Sequence, residues 1–241
     1  MVSSWRRLLL ATLPSTCIVC ARYLTDGSNL CLECSQELPW IESACNRCGN
    51  ASLNLPLHHG VCGACRLRPP PFRRCLSLFH YRSPVDSLVA GFKFNARFDI
   101  GYALALLLAN RMHRYYAEHP RPDLLIPVPL SRARLRERGY NQALEITRVV
   151  AKHLRLPVCA TAVLHTRDTL PQSQLRSSHS RRRNLRQAFQ IGPAPELEGV
   201  RYVAVLDDVV TTTATVSECC RALGGRGIAT IDLWCLARTG H

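Results

Sequence analysis

Apolar positions along this chain gather into short dense runs, set apart by polar turns marked with proline and glycine. Tyr202 to Leu206 (YVAVL) is continuous and rich in β-branched residues, which predicts a strand buried on both faces. Cys75 to Tyr81 and Asp123 to Pro129 (DLLIPVP) predict two more strands, and a last strand is expected near Ile228 to Leu236. Between these runs the spacing turns helical. Ser83 to Phe92 predicts a short helix opened by Ser83-Pro84. Asp99 to His119 predicts a long helix apolar on most sides, hence a core element. SRARLRERGYNQALEITRVVAKHL predicts a basic loop running into an amphipathic helix from about Tyr140. Val216, Cys219, Cys220 and Leu223 form one helical stripe that stops at Gly224-Gly225. With 241 residues, the chain has room for one full α/β domain and a small appendage.

The appendage is written in cysteine. Eight of the 13 cysteines form four CxxC pairs: Cys17/Cys20, Cys31/Cys34, Cys45/Cys48 and Cys62/Cys65. Each pair can offer two thiolates to one ion, and two pairs complete a tetrahedral zinc site. Ten residues lie between the first two pairs and thirteen between the second two, short enough for ribbon loops. The expectation is two zinc ribbons in tandem, paired sequentially and holding about two zinc ions. The alternatives are a disulfide framework or a redox CxxC; four regular knuckles favour metal over both. Segments this small lack a core, so the metal would supply most of their folding free energy. His58 and His59 lie in the second ribbon's loop and could replace a ligand. Arg68-Pro69-Pro70-Pro71-Phe72 reads as a stiff spacer, which divides the chain into a double ribbon over 14–70 and a second domain over 73–241.

Charge changes the picture next. The net charge is +14, nearly all from arginine, the lysines being Lys93 and Lys152. Between Ser131 and Arg186 there are 13 Lys and Arg residues against three acids. Exposed faces usually alternate sign, so this imbalance points to phosphorylated metabolites or nucleic acid; a solvated basic face is the plainer alternative. Thr166 to Phe189 is polar and arginine-rich, suited to a flap over an anionic ligand or simply to a surface loop. The N-terminal apolar run is short and broken by Pro14, a poor signal peptide, and no apolar stretch reaches the roughly 20 residues of a spanning helix. Reduced CxxC pairs then place the protein in the cytoplasm.

The most informative chemistry follows the Tyr202 run. Asp207 and Asp208 are adjacent, and Thr211, Thr212, Thr213, Ala214 and Thr215 lead into the Val216 helix. Backbone N–H groups at a helix start, with threonine hydroxyls, make an anion site. The carboxylates cannot share that anion and need hydroxyls or a metal. A ribose 5-phosphate satisfies both halves. The plainer alternative is a buried strand and a threonine-capped helix, with the aspartates paired to arginines. An NTPase or a dinucleotide fold is disfavoured by the lack of G-x-x-x-x-G-K-[ST] and G-x-G-x-x-G.

VAVLDDVVTTTAT resembles the phosphoribosyl-pyrophosphate (PRPP) loop of type I phosphoribosyltransferases. The resemblance implies that Asp207 and Asp208 bind the ribose hydroxyls and that Thr211 to Thr215 hold the 5′-phosphate. The family's T-T-G-x-T glycine is Thr213 here, and glycine serves where backbone approaches a ligand closely. Together with IPVPLSRARLRERGYNQA, the R-R-R-N-L-R-x-A-F stretch ending at Phe189 and the cysteine pairs, the chain resembles the ComF family from Cys17 to Leu236. That likeness implies a type I phosphoribosyltransferase-like fold, a mostly parallel central sheet flanked by helices behind a small double zinc ribbon. It also implies a role in DNA uptake in natural transformation or in DNA metabolism, with Ser131, Arg132, Arg138, Gly139, Tyr140, Asn141 and Gln142 on the pyrophosphate side. PRPP with Mg²⁺, or a related ribose phosphate, is the implied ligand; single-stranded DNA and the DNA-uptake helicase machinery are candidate partners. Transfer would break the C1–O bond through an oxocarbenium-like transition state, catalysed by positioning and electrostatics, with Arg132, Arg138 and Arg181 to Arg186 as candidates to receive the pyrophosphate. No residue stands out as a general base, and the sequence does not name an acceptor. The other reading is a non-catalytic module that keeps the fold and grips single-stranded DNA.

Overall fold

The computed structural model of the chain describes residues 15–51, 56–166 and 188–240. The lead-in before Ser15 and nearly all of the arginine-rich stretch expected to form a flap, Arg181 to Arg186 included, lie outside these residues. Two small units open the fold. The first has β1 (Ser15–Thr16) paired antiparallel with β2 (Tyr23–Leu24), then α1 (Leu32–Glu37). The second repeats the plan with β3 (Leu57–His58), β4 (Val61–Cys62) and α2 (Gly63–Leu67).

The second domain runs β5 (Arg74–His80), α3 (Val85–Phe94), α4 (Phe98–Tyr115), β6 (Leu124–Pro127), α5 (Arg132–Arg138), α6 (Gln142–Leu154), β7 (Val163–His165), β8 (Phe189–Ile191), β9 (Tyr202–Val210), α7 (Ala214–Gly225) and β10 (Thr230–Arg238). Its central sheet has the order β5-β10-β9-β6, and every neighbour pair is parallel. The all-apolar strands conceal a period of two. Ala204, Leu206, Trp234 and Leu236 face one core with α3, α4 and α6. Val203, Val205, Leu233 and Cys235 face the other with α7. Both faces are covered, so alternation with polar residues would only have weakened the strands. β7 and β8 form an antiparallel hairpin outside the sheet.

Three boundaries differ from the sequence expectation. β9 continues through Asp207 and Asp208 to Val210, because Val209 and Val210 pair in register with Ala237 and Arg238 of β10. The supposed basic loop contains α5, closed at both ends: Ser131 Oγ accepts from the Arg134 amide (3.3 Å), and Gly139 takes the left-handed conformation at φ 78°. α4 ends at Tyr115, four residues early. The next side chain, Tyr116, is drawn inward to donate to Asp232 Oδ2 (2.7 Å).

Asp232 anchors the sheet's interior. It is fully buried and accepts from Arg73 Nε (2.8 Å) and Nη2 (2.7 Å), Tyr116 Oη (2.7 Å) and Tyr202 Oη (2.6 Å). The ribbon region is not detached from this domain. Leu38 joins the main core, Trp40 packs on Phe79 at 4.5 Å between ring centres, and the amide of Ile41 donates to Leu78 O (2.8 Å).

Candidate functional site

The connection leaving β6 returns through α6 on one face of the sheet, while that leaving β9 returns through α7 on the other. β6 and β9 are neighbours, so a crevice opens between their C-terminal ends. In parallel α/β sheets this is where ligands bind. Two sequence-predicted groups flank it: the acid pair and threonine turn after β9, and the Ser131–Gln142 segment after β6.

Adjacent positions of a strand project to opposite faces. Asp208 lies on the α3 side, where Lys93 Nζ meets its Oδ2 at 2.8 Å, both side chains being mostly buried (17% and 10% exposed). Asp207 lies on the α7 side. Each carboxylate turns forward along the chain, Asp207 Oδ1 accepting from the Asp208 amide (2.9 Å) and Asp208 Oδ1 from the Val209 amide (2.6 Å). Desolvation, followed by the Asp208 charge, pushes Asp207 up to about 7, with Lys93 acting in the opposite sense. Asp207 thus titrates near neutrality.

The turn is open. Thr211 and Thr212 are exposed, Thr213, Ala214 and Thr215 half-buried. Thr213 sits at the N-cap of α7 without a side-chain capping bond, which leaves the first-turn amides to a ligand or water. Its φ of −76° is ordinary, so the backbone at this position has no need of the family's glycine.

Across the crevice, the predicted residues divide by role. Ser131, Gly139 and Asn141 are builders: Asn141 caps α6, accepting from the Ala143 amide (3.0 Å) and donating to Val128 O (3.0 Å). Arg132 is exposed on α5. Arg138, Tyr140 and Gln142 interact with one another, and Tyr140 also feels the Asp208 charge. Arg138 Nη1 donates to Gln142 Oε1 (3.1 Å), and burial raises the Tyr140 phenol, a rise to which Glu145 and Asp208 add and which Gln142 and Arg138 oppose. Arg138 Nε and Gln142 Nε2 are buried donors with no partner among the described residues. Such donors are costly to leave unsatisfied.

Two contributors escaped the sequence reading. Lys93 was visible as a lysine in Phe92-Lys93-Phe94 within an arginine-dominated chain, but nothing local tied it to Asp208. Phe94, Phe98 and Tyr102 are exposed; the Phe98 and Tyr140 ring centres lie 4.7 Å apart, and the Arg138 guanidinium lies 5.2 Å over Phe94. Phe94, Phe98 and Tyr102 recur every fourth residue in one short stretch, a signal the sequence does carry; only Tyr140, which meets Phe98 from a distant segment, is hidden from it.

The cysteines form two groups, Cys17, Cys20, Cys31, Cys34 and Cys45, Cys48, Cys62, Cys65, in the sequential pairing expected. Within each group the sulfurs lie within 4.8 Å of one another, with Cys20 and Cys31 at 3.9 Å and Cys48 and Cys62 at 3.8 Å. Tetrahedral zinc with sulfur at about 2.3 Å spaces its ligands about 3.8 Å apart, so both sets fit the ion. His58 and His59 belong to neither group.

Comparison with known proteins agrees with this layout. Residues 8–66 match the double zinc ribbon domain. The chain is 35% identical over 233 residues to DNA utilization protein YhgH of Escherichia coli O157:H7, covering 95% of this chain and 99% of that protein. It is 32% identical over 229 residues to Competence protein F of Haemophilus influenzae, covering 92% and 96%. The chain belongs to the ComF family. Competence protein ComFC of Bacillus subtilis shares 24% identity with it over 213 residues, 86% of this chain and 82% of that one. The ComF assignment spans the ribbons and the sheet domain alike, and no helix among the described residues is long and apolar enough to cross a membrane.

Proposed function

We propose that this ComF protein binds PRPP, or a related ribose phosphate, in the crevice between β6 and β9, and acts in the uptake or use of DNA. The 5′-phosphate would sit on the uncapped start of α7 with the Thr211–Thr215 hydroxyls, and the ribose hydroxyls on Asp207 and Asp208. The observation that carries this reading is the open start of α7, without a side-chain cap, following directly on the acid pair at the C-terminal end of β9. A phosphate supplies the oxygens those first-turn amides lack, with Lys93 and Arg138 as candidate cations for a pyrophosphate. Mg²⁺, held by Asp207 and Asp208 together with the ligand's own oxygens, would neutralise charge on the departing pyrophosphate. Phosphoribosyl transfer to an acceptor is the reaction this geometry serves. Calorimetry with PRPP·Mg²⁺ tests it: binding by the wild type that is lost in Asp207→Ala/Asp208→Ala supports the seat, and equal binding by both removes it.

A second reading has its own observation. Phe94, Phe98 and Tyr102 are exposed, Phe98 packs on Tyr140 and Arg138 stacks over Phe94, while Arg132, Arg134 and Arg136 on α5 are exposed and make no ion pair among the described residues. Rings interleaved with free cations suit stacked bases and phosphodiesters of single-stranded DNA. Anisotropy with a labelled oligothymidine should show binding that weakens steeply with salt and drops several-fold in Phe94→Ala/Phe98→Ala. Retained affinity in that variant would place any DNA contact elsewhere.

A further inference from the structure

We propose that Arg238 ties the second thiolate cluster to the Thr211–Thr215 turn, so that metal loading of Cys45, Cys48, Cys62 and Cys65 sets the order of that turn.

Arg238 ends β10 and is 4% exposed. Its guanidinium reaches two separate parts of the molecule. Nε donates to Cys48 O (3.1 Å), in the knuckle of the second cluster. Nη1 donates to Val210 O (2.8 Å), to Thr211 O and to Thr239 O (3.1 Å), the first two being where β9 gives way to the turn. Thr239 reinforces the same point, its hydroxyl donating to Thr211 O (2.9 Å) and its amide to Val210 O (3.2 Å). A rigid planar fork can serve both sides at once; a lysine in its place could satisfy only one.

The charge balance gives the contact its direction. Arg238 makes no ion pair among the described residues, and every acceptor around it is a neutral carbonyl or hydroxyl. A buried cation without a counter-charge is unfavourable. Four cysteines bound to Zn²⁺ are thiolates, so the loaded cluster carries a net negative charge at the knuckle that Arg238 already touches. Emptying the cluster removes both the counter-charge and the metal that fixes Cys48. The knuckle is also pressed against the sheet. Gly49 has φ 66°, and a Cβ there would lie 2.8 Å from Cys75 Sγ and 3.3 Å from Cys75 O on β5, so it cannot shift without moving the Arg238 acceptor. Among the described residues, Arg238 makes no hydrogen bond to Cys17, Cys20, Cys31 or Cys34 of the first cluster. Its consequence for ligand affinity rests on the reading of the turn as a phosphate seat; the coupling itself does not.

The test is hydrogen–deuterium exchange on the full-length, zinc-loaded chain, followed in the peptide spanning Thr211–Thr215. Cys62→Ser and Arg238→Lys should speed exchange there about tenfold or more, while Cys31→Ser, which empties the first cluster, should change it less than about twofold. Equal protection in the Cys62→Ser and Cys31→Ser proteins overturns the proposal. If Cys62→Ser fails to fold, zinc release into a chromophoric chelator decides between the outcomes. Arg238→Lys should accelerate one of two release phases about tenfold and leave the other unchanged, as reciprocal coupling requires; two unchanged phases overturn it. Ribose 5-phosphate added to the wild type should slow that same phase. If ribose 5-phosphate does not bind while the exchange pattern holds, the phosphate seat is wrong and the Arg238 link stands.

Discussion

Replacing Lys93 with methionine tests the electrostatics of the site most directly. The substitution keeps most of the length and the unbranched apolar stem of the side chain, and removes the ammonium group. Asp208 then loses its partner at 2.8 Å while staying mostly buried. Removing one member of a buried pair costs about 3–5 kcal/mol; with Lys93 and Asp208 still 17% and 10% exposed, about 2–3 kcal/mol is expected at pH 8. The cost should depend on pH. Lys93 lowers the pKa of Asp207, which stands at about 7 with the lysine present. A carboxyl whose folded pKa is raised favours the fold while protonated and loses that contribution as pH climbs through the folded value. Without Lys93 that loss extends to higher pH, so the gap between wild type and variant widens from pH 5.5 to pH 8.

The assay is guanidinium denaturation with zinc saturating, read through the fluorescence of Trp234, which is buried in the sheet. Lys93→Met/Asp208→Asn should recover most of the loss, because the charge left without a partner is gone as well. A Lys93→Met protein within about 0.5 kcal/mol of wild type at pH 8 would refute the argument, since surface substitutions cost no more than that. So would the same deficit at both pH values.

Three shorter predictions follow from neighbouring residues. Asp207→Asn should leave stability unchanged below about pH 4, where the carboxyl is protonated folded and unfolded alike, and raise it progressively to about 4 kcal/mol above pH 8, the free energy of a carboxylate held to about 7, and should flatten the rise of PRPP·Mg²⁺ affinity between pH 6 and 8; denaturation and calorimetry at matched pH check both. Asp232→Asn should cost about 3–5 kcal/mol by chemical denaturation, because Arg73 keeps its charge and loses a carboxylate that binds it twice. Thr213→Gly should change stability by less than about 1 kcal/mol, there being no side-chain capping bond to lose, and should tighten ribose 5-phosphate binding; unchanged affinity would show that the Thr213 side chain stands clear of the phosphate.

Much of this site was legible in the order of residues, and what was not has a common cause. The apolar runs placed each strand of the central sheet within a few residues, since burial on both faces demands continuous hydrophobicity. The acid pair, the threonine turn and the eight cysteines were found because their chemistry is local in sequence. β9 was cut short at Asp207 because carboxylates look like the end of a strand; only the register with β10 shows that they lie within it. α5 went unread although Ser131 and Gly139 are ordinary capping residues, because arginine density drew the reading toward a loop. The Lys93–Asp208 pair, the contact of Phe98 with Tyr140 and the Arg238 bridge each join segments far apart in the chain. Pairings across such distances leave no pattern in a window of a dozen residues.

The three interior carboxylates show how the geometry separates scaffold from site. Asp232 accepts four hydrogen bonds from a charged fork and two phenols, and nothing remains for it to bind. Asp208 has one lysine and one amide, a balance that a ligand's hydroxyls or a divalent cation could take over. Asp207 accepts from an amide and makes no ion pair among the described residues; burial and then the Asp208 charge raise its pKa, with Lys93 opposing. A fold stabilised only by pairing would have filled these positions alike, because each unpaired buried charge works against it. The deficit instead lies at the C-terminal end of β9, beside the uncapped start of α7. On the reading proposed above, carboxylates short of donors next to amides short of acceptors would suit a single molecule that carries hydroxyls at one end and phosphate oxygens at the other.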